Sequence, residues 1–183
     1  GGIGTSSRKL PESLGGYTVG VLVQTNFGGV LQIDGAPVGK ELRKFSFSDE
    51  LLNNVDGSCM IVVATDAPLD HRNLLRLATR AIIGMGKTGG IESNGSGDYV
   101  IAFSTSDSLR VPYVVNKQII NNPVLQNDDM SPLFLATIEA TEEAIINSLF
   151  AAKTMTGRDG HKIESLPLDK VIPILKKYNT IEK

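Results

Sequence analysis

A glycine and a serine stand directly before an apolar, β-branched run in the middle of this chain. Residues 59–65, which follow Gly57 and Ser58, predict a buried strand. Because glycine lets other backbone approach closely and adopts unusual conformations, the Gly57–Ser58 bond is a candidate site of strain at the mouth of that strand. The alternative is an ordinary turn before a strand. The pair on its own is therefore either a nucleophile and its neighbour or a simple turn.

A serine nucleophile needs a base, and this chain offers only two histidines. His71 falls in the first turn of a predicted helix and His161 in a polar loop, so we expect both to be exposed rather than catalytic. If the Gly57–Ser58 bond were cut, Ser58 would carry a free α-amine, whose pKa of about 8 suits a general base near neutral pH. The hydroxyl could make that cut itself, by attacking the Gly57 carbonyl and forming an ester that water hydrolyses.

Three other motifs are better explained without chemistry. The segment 84–88 (GMGKT) ends like a phosphate-binding loop, but Ala81 replaces the first glycine and the segment follows a helix, so we expect a helix end. The segment 127–129 lacks the ligand spacing of a calcium loop and is expected to be a solvated loop. The segment 94–96 matches a glycosylation acceptor, a pattern that is common by chance.

Composition limits the class of protein and of partner. The chain has 183 residues, 41% of them hydrophobic and 21% charged, which is typical of one globular domain or a large piece of one. The 18 Lys and Arg are scattered and the net charge is -2, so we expect no nucleic-acid partner. The sequence contains no apolar run long enough to suggest a membrane span. Cys59 is the single cysteine, which excludes an intrachain disulfide and a cysteine-rich metal site. With only two histidines besides, zinc would have few nitrogen ligands, and no metal or other cofactor is expected.

The pattern of apolar residues predicts a mixed α/β chain. Strands are expected over residues 17–25, 30–33, 59–65 and 99–105, with a further short strand at 111–115. The first two strands read as a hairpin across the turn 26–29, and residues 40–54 as a surface connection. The opening of the chain, rich in Gly and Ser, is left without an element.

Three helices are predicted. The first begins near Leu69 after a cap at Asp66 or Asp70 and ends near Gly84 or Gly86. The second begins with Ser131 as N-cap, runs to about residue 155 and is apolar on more than one side, which suggests burial between layers. The third covers residues 168–178 and should kink or start at Pro173.

Several stretches together resemble one known family, the L-aminopeptidase/D-esterase (DmpA-type) and β-aminopeptidase family of self-processing serine peptidases. The resemblance is carried, in order along the chain, by residues 1–8 (GGIGTSSR), 17–20, 23–26, the pair Gly57 and Ser58 with 62–69, 96–98, 140–145 and 156–160. It implies a four-layer αββα sandwich and a precursor that cuts itself ahead of the nucleophile, here between Gly57 and Ser58.

The same resemblance implies roles for three further residues. Asn26 matches the asparagine whose side chain helps form the oxyanion hole, and Ser96 and Asp98 match a serine and an acidic residue that hydrogen-bond around the nucleophile and its amine. The structural alternative for Ser96 and Asp98 is a loop serine and a capping residue. Cys59 is expected to be a small buried residue rather than a rival nucleophile.

The resemblance also implies the organisation of the whole protein. Residues 1–183 would be the C-terminal portion of one αββα domain whose N-terminal part is missing from this chain, with 1–57 ending an α-subunit and 58–183 forming a β-subunit. Expected substrates are short peptides, amino-acid amides or esters, with the preference among L-, D- and β-amino acids left open. A homotetramer of such heterodimers is expected. Localisation is left open between cytoplasm and periplasm, because any targeting signal would lie in the missing part.

Two alternatives remain at this stage. An acyltransferase of related fold would use the same type of nucleophile to pass the acyl group to an amine, although those enzymes carry threonine at the cut. An uncleaved or truncated chain would instead be an inactive binding module.

Overall fold

The computed structural model describes residues 1–46, 57–113 and 118–182, and it is built around one four-stranded sheet. The strands follow one another in space in chain order: β1 (Gly2–Lys9), β2 (Thr18–Asn26), β3 (Ser58–Thr65) and β4 (Gly97–Ser104). The β1–β2 and β2–β3 pairs are antiparallel and the β3–β4 pair is parallel. A parallel pair needs a crossover connection, which here contains the first long helix.

Two long helices, α2 (His71–Lys87) and α3 (Ser131–Ala151), cover one face of this sheet. The helices α1 (Val38–Glu41) and α4 (Leu168–Lys177) contact each other. Two short strands, β5 (Met155–Thr156) and β6 (Lys162–Ile163), pair with each other outside the main sheet. The helix α3 packs on β1 and β2, and α2 packs on α3 and β4. Within the described ranges, no helix combines the length and apolar character that a membrane span needs.

Alternation along β2 and β3 decides which side chains meet the helices. In β2 the buried positions include Val19, Val21 and Val23, and in β3 they include Ile61 and Val63. These β-branched side chains suit a pleated strand that is packed on one face. The intervening residues of both strands consequently point to the opposite face of the sheet.

That opposite face, which we call the open face, is apolar but exposed. Leu22, Met60, Tyr99, Ile101 and Phe103 lie on it with 40% to 63% of their surface accessible. The chain thus forms one helical layer and one sheet layer of a mixed α/β fold, as expected. A second sheet on the open face, covered by a second helical layer, would complete the four-layer arrangement.

The Gly- and Ser-rich opening forms the full strand β1, which the sequence did not predict. A side chain at Gly4 would overlap the carbonyl oxygen of Ala144, and a Cβ at Gly2 would lie 2.7 Å from the carbonyl oxygen of Ser148, both on α3. The small residues let the helix approach the strand closely. The composition of this segment carries no strand signal, because strand propensity reflects side chains that pack on the pleated surface.

The predicted hairpin between residues 17–25 and 30–33 is wrong. Both edges of β2 are already used, one by β1 and the other by β3. The backbone of Val30 instead donates to the carbonyl of Gly89 at 2.9 Å, and that of Gln32 donates to Thr88 at 2.9 Å. This segment therefore lies against the chain that follows α2.

The helix α2 begins after Asp70, one of its two predicted caps, and the GMGKT motif lies at its C-terminal end. The Asp70 side chain accepts a hydrogen bond from the backbone N–H of Asn73 at 2.8 Å, so Asp70 is the N-cap. The helix ends at Lys87 with Thr88 as its C-cap. The motif is therefore a helix end rather than a phosphate-binding loop. Its neighbour β4 begins at Gly97, before the predicted start at residue 99.

The other two predicted helices are present with different ends. Ser131 is the first helical residue of α3 rather than its N-cap, because a 3-10 turn over Asn127–Met130 leads directly into the helix. The helix α3 ends at Ala151 and not near residue 155, where β5 begins, and it is buried along one face while Leu135 is 57% exposed. The helix α4 runs from Leu168 through Pro173 and does not start there.

One predicted connection and one predicted strand are only partly described. Of the surface connection 40–54, the described part includes the end of α1, and residues 47–56 lie outside the described residues. Residues 111–113 are not in a strand, and the rest of the segment predicted at 111–115 also lies outside the described residues.

Candidate active site

The register of β2 and β3 brings Ser58 and Asn26 together. They are direct cross-strand partners at the end of the β2–β3 pair. In an antiparallel pair, opposed side chains point to the same face, with Cβ atoms about 5 Å apart. Both residues are exposed on the open face. A hydroxyl and a carboxamide separated by 32 positions of sequence are thus neighbours because of strand pairing.

A buried polar contact fixes the end of β2 that carries Asn26. The Thr25 hydroxyl shares a hydrogen bond of 2.8 Å with the hydroxyl of Ser148 on α3, and it accepts the backbone N–H of Gly2 at 3.1 Å. Both hydroxyls are buried, where a satisfied hydrogen bond is difficult to exchange for water. The strand end is therefore held to both α3 and β1.

The carbonyl oxygen of Gly57 accepts two hydrogen bonds. The Ser58 hydroxyl donates to it at 2.6 Å, and the backbone N–H of Gly97 donates at 3.2 Å. Gly57 itself lies tightly against the end of β2, because a Cβ there would be 2.7 Å from both the Asn26 carbonyl oxygen and the Phe27 Cα. Only glycine fits this position without a movement of the backbone.

The structure places Ser96 and Asp98 on either side of Gly97, which pairs with Ser58. Asp98 pairs with Cys59, so alternation directs its side chain away from the open face. The Ser96 hydroxyl oxygen and one Asp98 carboxylate oxygen are buried without a hydrogen-bond partner in the described part of the chain. A buried polar atom without a partner typically costs about 1–3 kcal/mol, so each is suited to receive a donor.

Cys59 is fully buried beside Ser58. Burial, and then the negative charge of Asp98, raise the pKa of the Cys59 thiol to about 12. Since the thiolate is the reactive form, this thiol is inert near neutral pH. Cys59 is therefore a packed core residue, as predicted.

The two histidines do not join this cluster. His71 begins α2 and His161 follows the turn before β6, and both are exposed. Among the described residues, no three His, Cys, Asp or Glu side chains are grouped so that they could hold a metal ion. The arrangement can supply a hydroxyl nucleophile, a carboxamide donor and a backbone donor.

Sequence reasoning missed two of these contributions. The Gly97 N–H was not predicted, because residue type does not indicate which backbone N–H groups point into a site. Gly97 nevertheless lies between the two candidate residues at 96 and 98. The Thr25 contact with Ser148 joins positions 123 residues apart, and no local pattern signals it.

Comparison with known proteins gives a consistent assignment. The model of peptidase family S58 matches residues 1–163. The chain is 44% identical over 194 aligned residues to β-peptidyl aminopeptidase BapA of Sphingosinicella microcystinivorans, covering 99% of this chain and 48% of that protein.

Two solved structures are similar in both fold and sequence. A β-aminopeptidase of Burkholderia sp. superposes with a TM-score of 0.82 at 38% identity, covering 97% of this chain and 49% of that one. The second structure is the L-aminopeptidase D-Ala-esterase/amidase of Ochrobactrum anthropi, a serine aminopeptidase with a variant of the Ntn hydrolase fold. It superposes with a TM-score of 0.83 at 33% identity, covering 98% of this chain and 48% of that one. The chain thus spans about half the length of the relatives it matches, and it belongs to peptidase family S58.

Proposed function

We propose that the whole protein is a self-processing serine aminopeptidase that uses Ser58 as its nucleophile. The observation that carries the proposal is the position of Ser58. Its hydroxyl lies 2.6 Å from the Gly57 carbonyl oxygen, and it is exposed on the same face as its cross-strand partner Asn26. Membership of peptidase family S58 supports the same assignment.

The proposed activation produces the base that the chain otherwise lacks. Attack by the Ser58 hydroxyl on the Gly57 carbonyl yields an ester and frees the Ser58 amine, and hydrolysis of the ester ends the first subunit at Gly57. Residues 58–183 then begin with Ser58, whose amine can take the proton of its own hydroxyl. The hydroxyl then attacks the substrate carbonyl carbon, the substrate's amine or alcohol leaves with the proton taken up by the Ser58 amine, and the amino acid remains as an ester on Ser58. The Asn26 carboxamide stabilises the oxyanion, and water hydrolyses the ester, releasing the amino acid and restoring the hydroxyl.

Ser96 and Asp98 have a role in the same proposal. Each holds a buried oxygen without a partner while the chain is uncut, and Asp98 is opposite the residue that follows Ser58. The amine created by cleavage brings new N–H donors to this strand end. We propose that these two residues hydrogen-bond around it, which would compensate the cost of their burial.

The relatives support a proposal for the substrates of the whole protein. We propose short peptides, amino-acid amides or esters as substrates, consistent with the aminopeptidase names of the similar proteins. The open face, with Met60 and Tyr99 exposed beside Ser58, would receive a second sheet from the part of the protein outside this chain. A homotetramer of α/β heterodimers is likewise proposed, and light scattering on the full-length protein tests it.

Cleavage and activity are tested on the full-length protein. We expect intact mass spectrometry to find a break between Gly57 and Ser58, an uncut chain in Ser58→Ala, and slower cleavage in Ser58→Thr, which keeps a hydroxyl. Aminoacyl p-nitroanilides should be hydrolysed only by cut protein. An unbroken bond in fully active protein would contradict the proposal, and acyl transfer to an added amine in place of hydrolysis would favour an acyltransferase.

A further inference from the structure

The Gly57 carbonyl has a backbone donor whose role is separate from that of Asn26. The Gly97 N–H donates to the Gly57 carbonyl oxygen at 3.2 Å, alongside the Ser58 hydroxyl at 2.6 Å. We propose that the Gly97 N–H is a catalytic group of self-cleavage, the donor that stabilises the oxyanion formed on the Gly57 oxygen. This inference rests on the self-cleavage proposed above.

The charge that needs a donor follows from the bonds that form and break. When the Ser58 Oγ bonds to the Gly57 carbonyl carbon, an electron pair of the C=O bond moves to the oxygen. The C–N bond then breaks, the Ser58 nitrogen ends with the proton that the hydroxyl lost, and an ester of Gly57 remains. Water adds to this ester, releasing the Gly57 carboxylate and restoring the hydroxyl. The Gly57 oxygen thus carries negative charge in both steps.

Only one of the two observed donors can serve throughout. The Ser58 hydroxyl loses its proton as it attacks, so its hydrogen bond to the Gly57 oxygen is lost when charge develops there. The Gly97 N–H keeps its proton. Its 3.2 Å separation is at the long end for an N–H···O bond, and such bonds shorten and strengthen when the acceptor becomes charged.

Sheet pairing holds this donor in place before the reaction. Ser58 and Gly97 are partners in the parallel β3–β4 pair, and in this pairing the Gly97 N–H reaches the carbonyl of the residue before Ser58. The first hydrogen bond of the ladder therefore falls on the bond to be cut. A donor fixed by the sheet needs no reorganisation when charge appears, which is the main advantage of an oxyanion hole.

Gly97 is also immediately beside the nucleophile. A Cβ at this position would lie 3.5 Å from the Ser58 Oγ, an ordinary contact, and 3.3 Å from Cε2 of the Tyr99 ring. The donor and the nucleophile are therefore adjacent at this end of the sheet.

The test removes the N–H and leaves the rest of the residue. Full-length precursor is made by cell-free translation with glycolic acid in place of Gly97, which changes the N–H to an ester oxygen. The control places the α-hydroxy analogue of isoleucine at Ile101, further along the same strand pair. The rate of appearance of the two fragments is measured by intact mass, and melting is measured for each in a Ser58→Ala background.

We expect the ester at Gly97 to slow cleavage at least about tenfold, since loss of one oxyanion donor typically costs about a hundred- to a thousandfold. The ester at Ile101 should cut within about threefold of the unmodified rate. Equal cleavage rates for the two esters would overturn the role of Gly97 while self-cleavage stands. A lower melting temperature for the Gly97 ester alone would also overturn it, since the bond would then be structural. An unmodified precursor that stays uncut would instead refute self-cleavage itself.

Discussion

Replacing Gly57 by alanine should slow self-cleavage without removing any reacting group. A Cβ at Gly57 would lie 2.7 Å from the Asn26 carbonyl oxygen and 2.7 Å from the Phe27 Cα. Both obstacles are backbone atoms of a strand end that Thr25 fixes to Ser148, so the Gly57 peptide must move instead. A displacement of about half an ångström should cost on the order of tenfold in rate, because a displacement of about 1 Å can cost about a hundredfold.

The assay follows the intact mass of full-length Gly57→Ala precursor over time after cell-free translation. Gly86→Ala is the matched control, because a Cβ at that exposed helical position would meet no atom within 4 Å; it should cut at the unmodified rate. Cleavage of Gly57→Ala as fast as the control would refute the reasoning, since it would mean that the position of the Gly57 carbonyl is not set by the end of β2.

Three further predictions concern the site and its support. Asn26→Ala should lower kcat for aminoacyl p-nitroanilides about a hundred- to a thousandfold, because one oxyanion donor is lost. Gln24 is exposed on the same strand and face, so Gln24→Ala should leave kcat unchanged. Similar losses of kcat in both variants would argue against a specific role for Asn26. Cys59 should resist iodoacetamide at pH 8 in the folded protein and react after unfolding. Its pKa of about 12 in the folded protein leaves only about one thiol in ten thousand ionised at that pH. Rapid labelling of the folded protein would contradict this prediction, because it would show that the thiol is accessible. Gly84→Ala should lower the free energy of unfolding by about 1–3 kcal/mol in denaturant titrations, since its Cβ would lie 2.6 Å from a backbone oxygen of α3. Gly86→Ala should instead raise the free energy of unfolding by about 0.5–1 kcal/mol. Equal effects of the two substitutions would contradict the close packing of α2 on α3.

Much of the strand and helix layout around the candidate site was predictable because its signals are local. The β-branched run after Ser58 needs no partner to indicate a strand, and the Asp70 cap and the apolar spacing of α2 likewise depend on neighbours a few residues away. Ser58, Asn26, Ser96 and Asp98 were singled out from residue types and family resemblance, and all four lie at one end of the sheet.

The two largest failures have one common cause, which is that strand pairing and close packing depend on residues far apart in the sequence. The segment near Val30 has the composition of a hairpin strand, but β1 and β3 already occupy both edges of β2. The opening around Gly4 has the composition of a loop, yet it forms a strand because α3 approaches so closely that only small residues fit.

Sequence by itself determined that this chain is a mixed α/β protein with a serine at the start of a buried strand, because side-chain chemistry and periodicity act within a few residues. Only the tertiary structure decided which groups surround that serine. Strand register placed Asn26 opposite Ser58 and aimed the Gly97 N–H at the Gly57 carbonyl. Those relations join residues tens of positions apart, and the packing of the whole sheet against α2 and α3 fixes them.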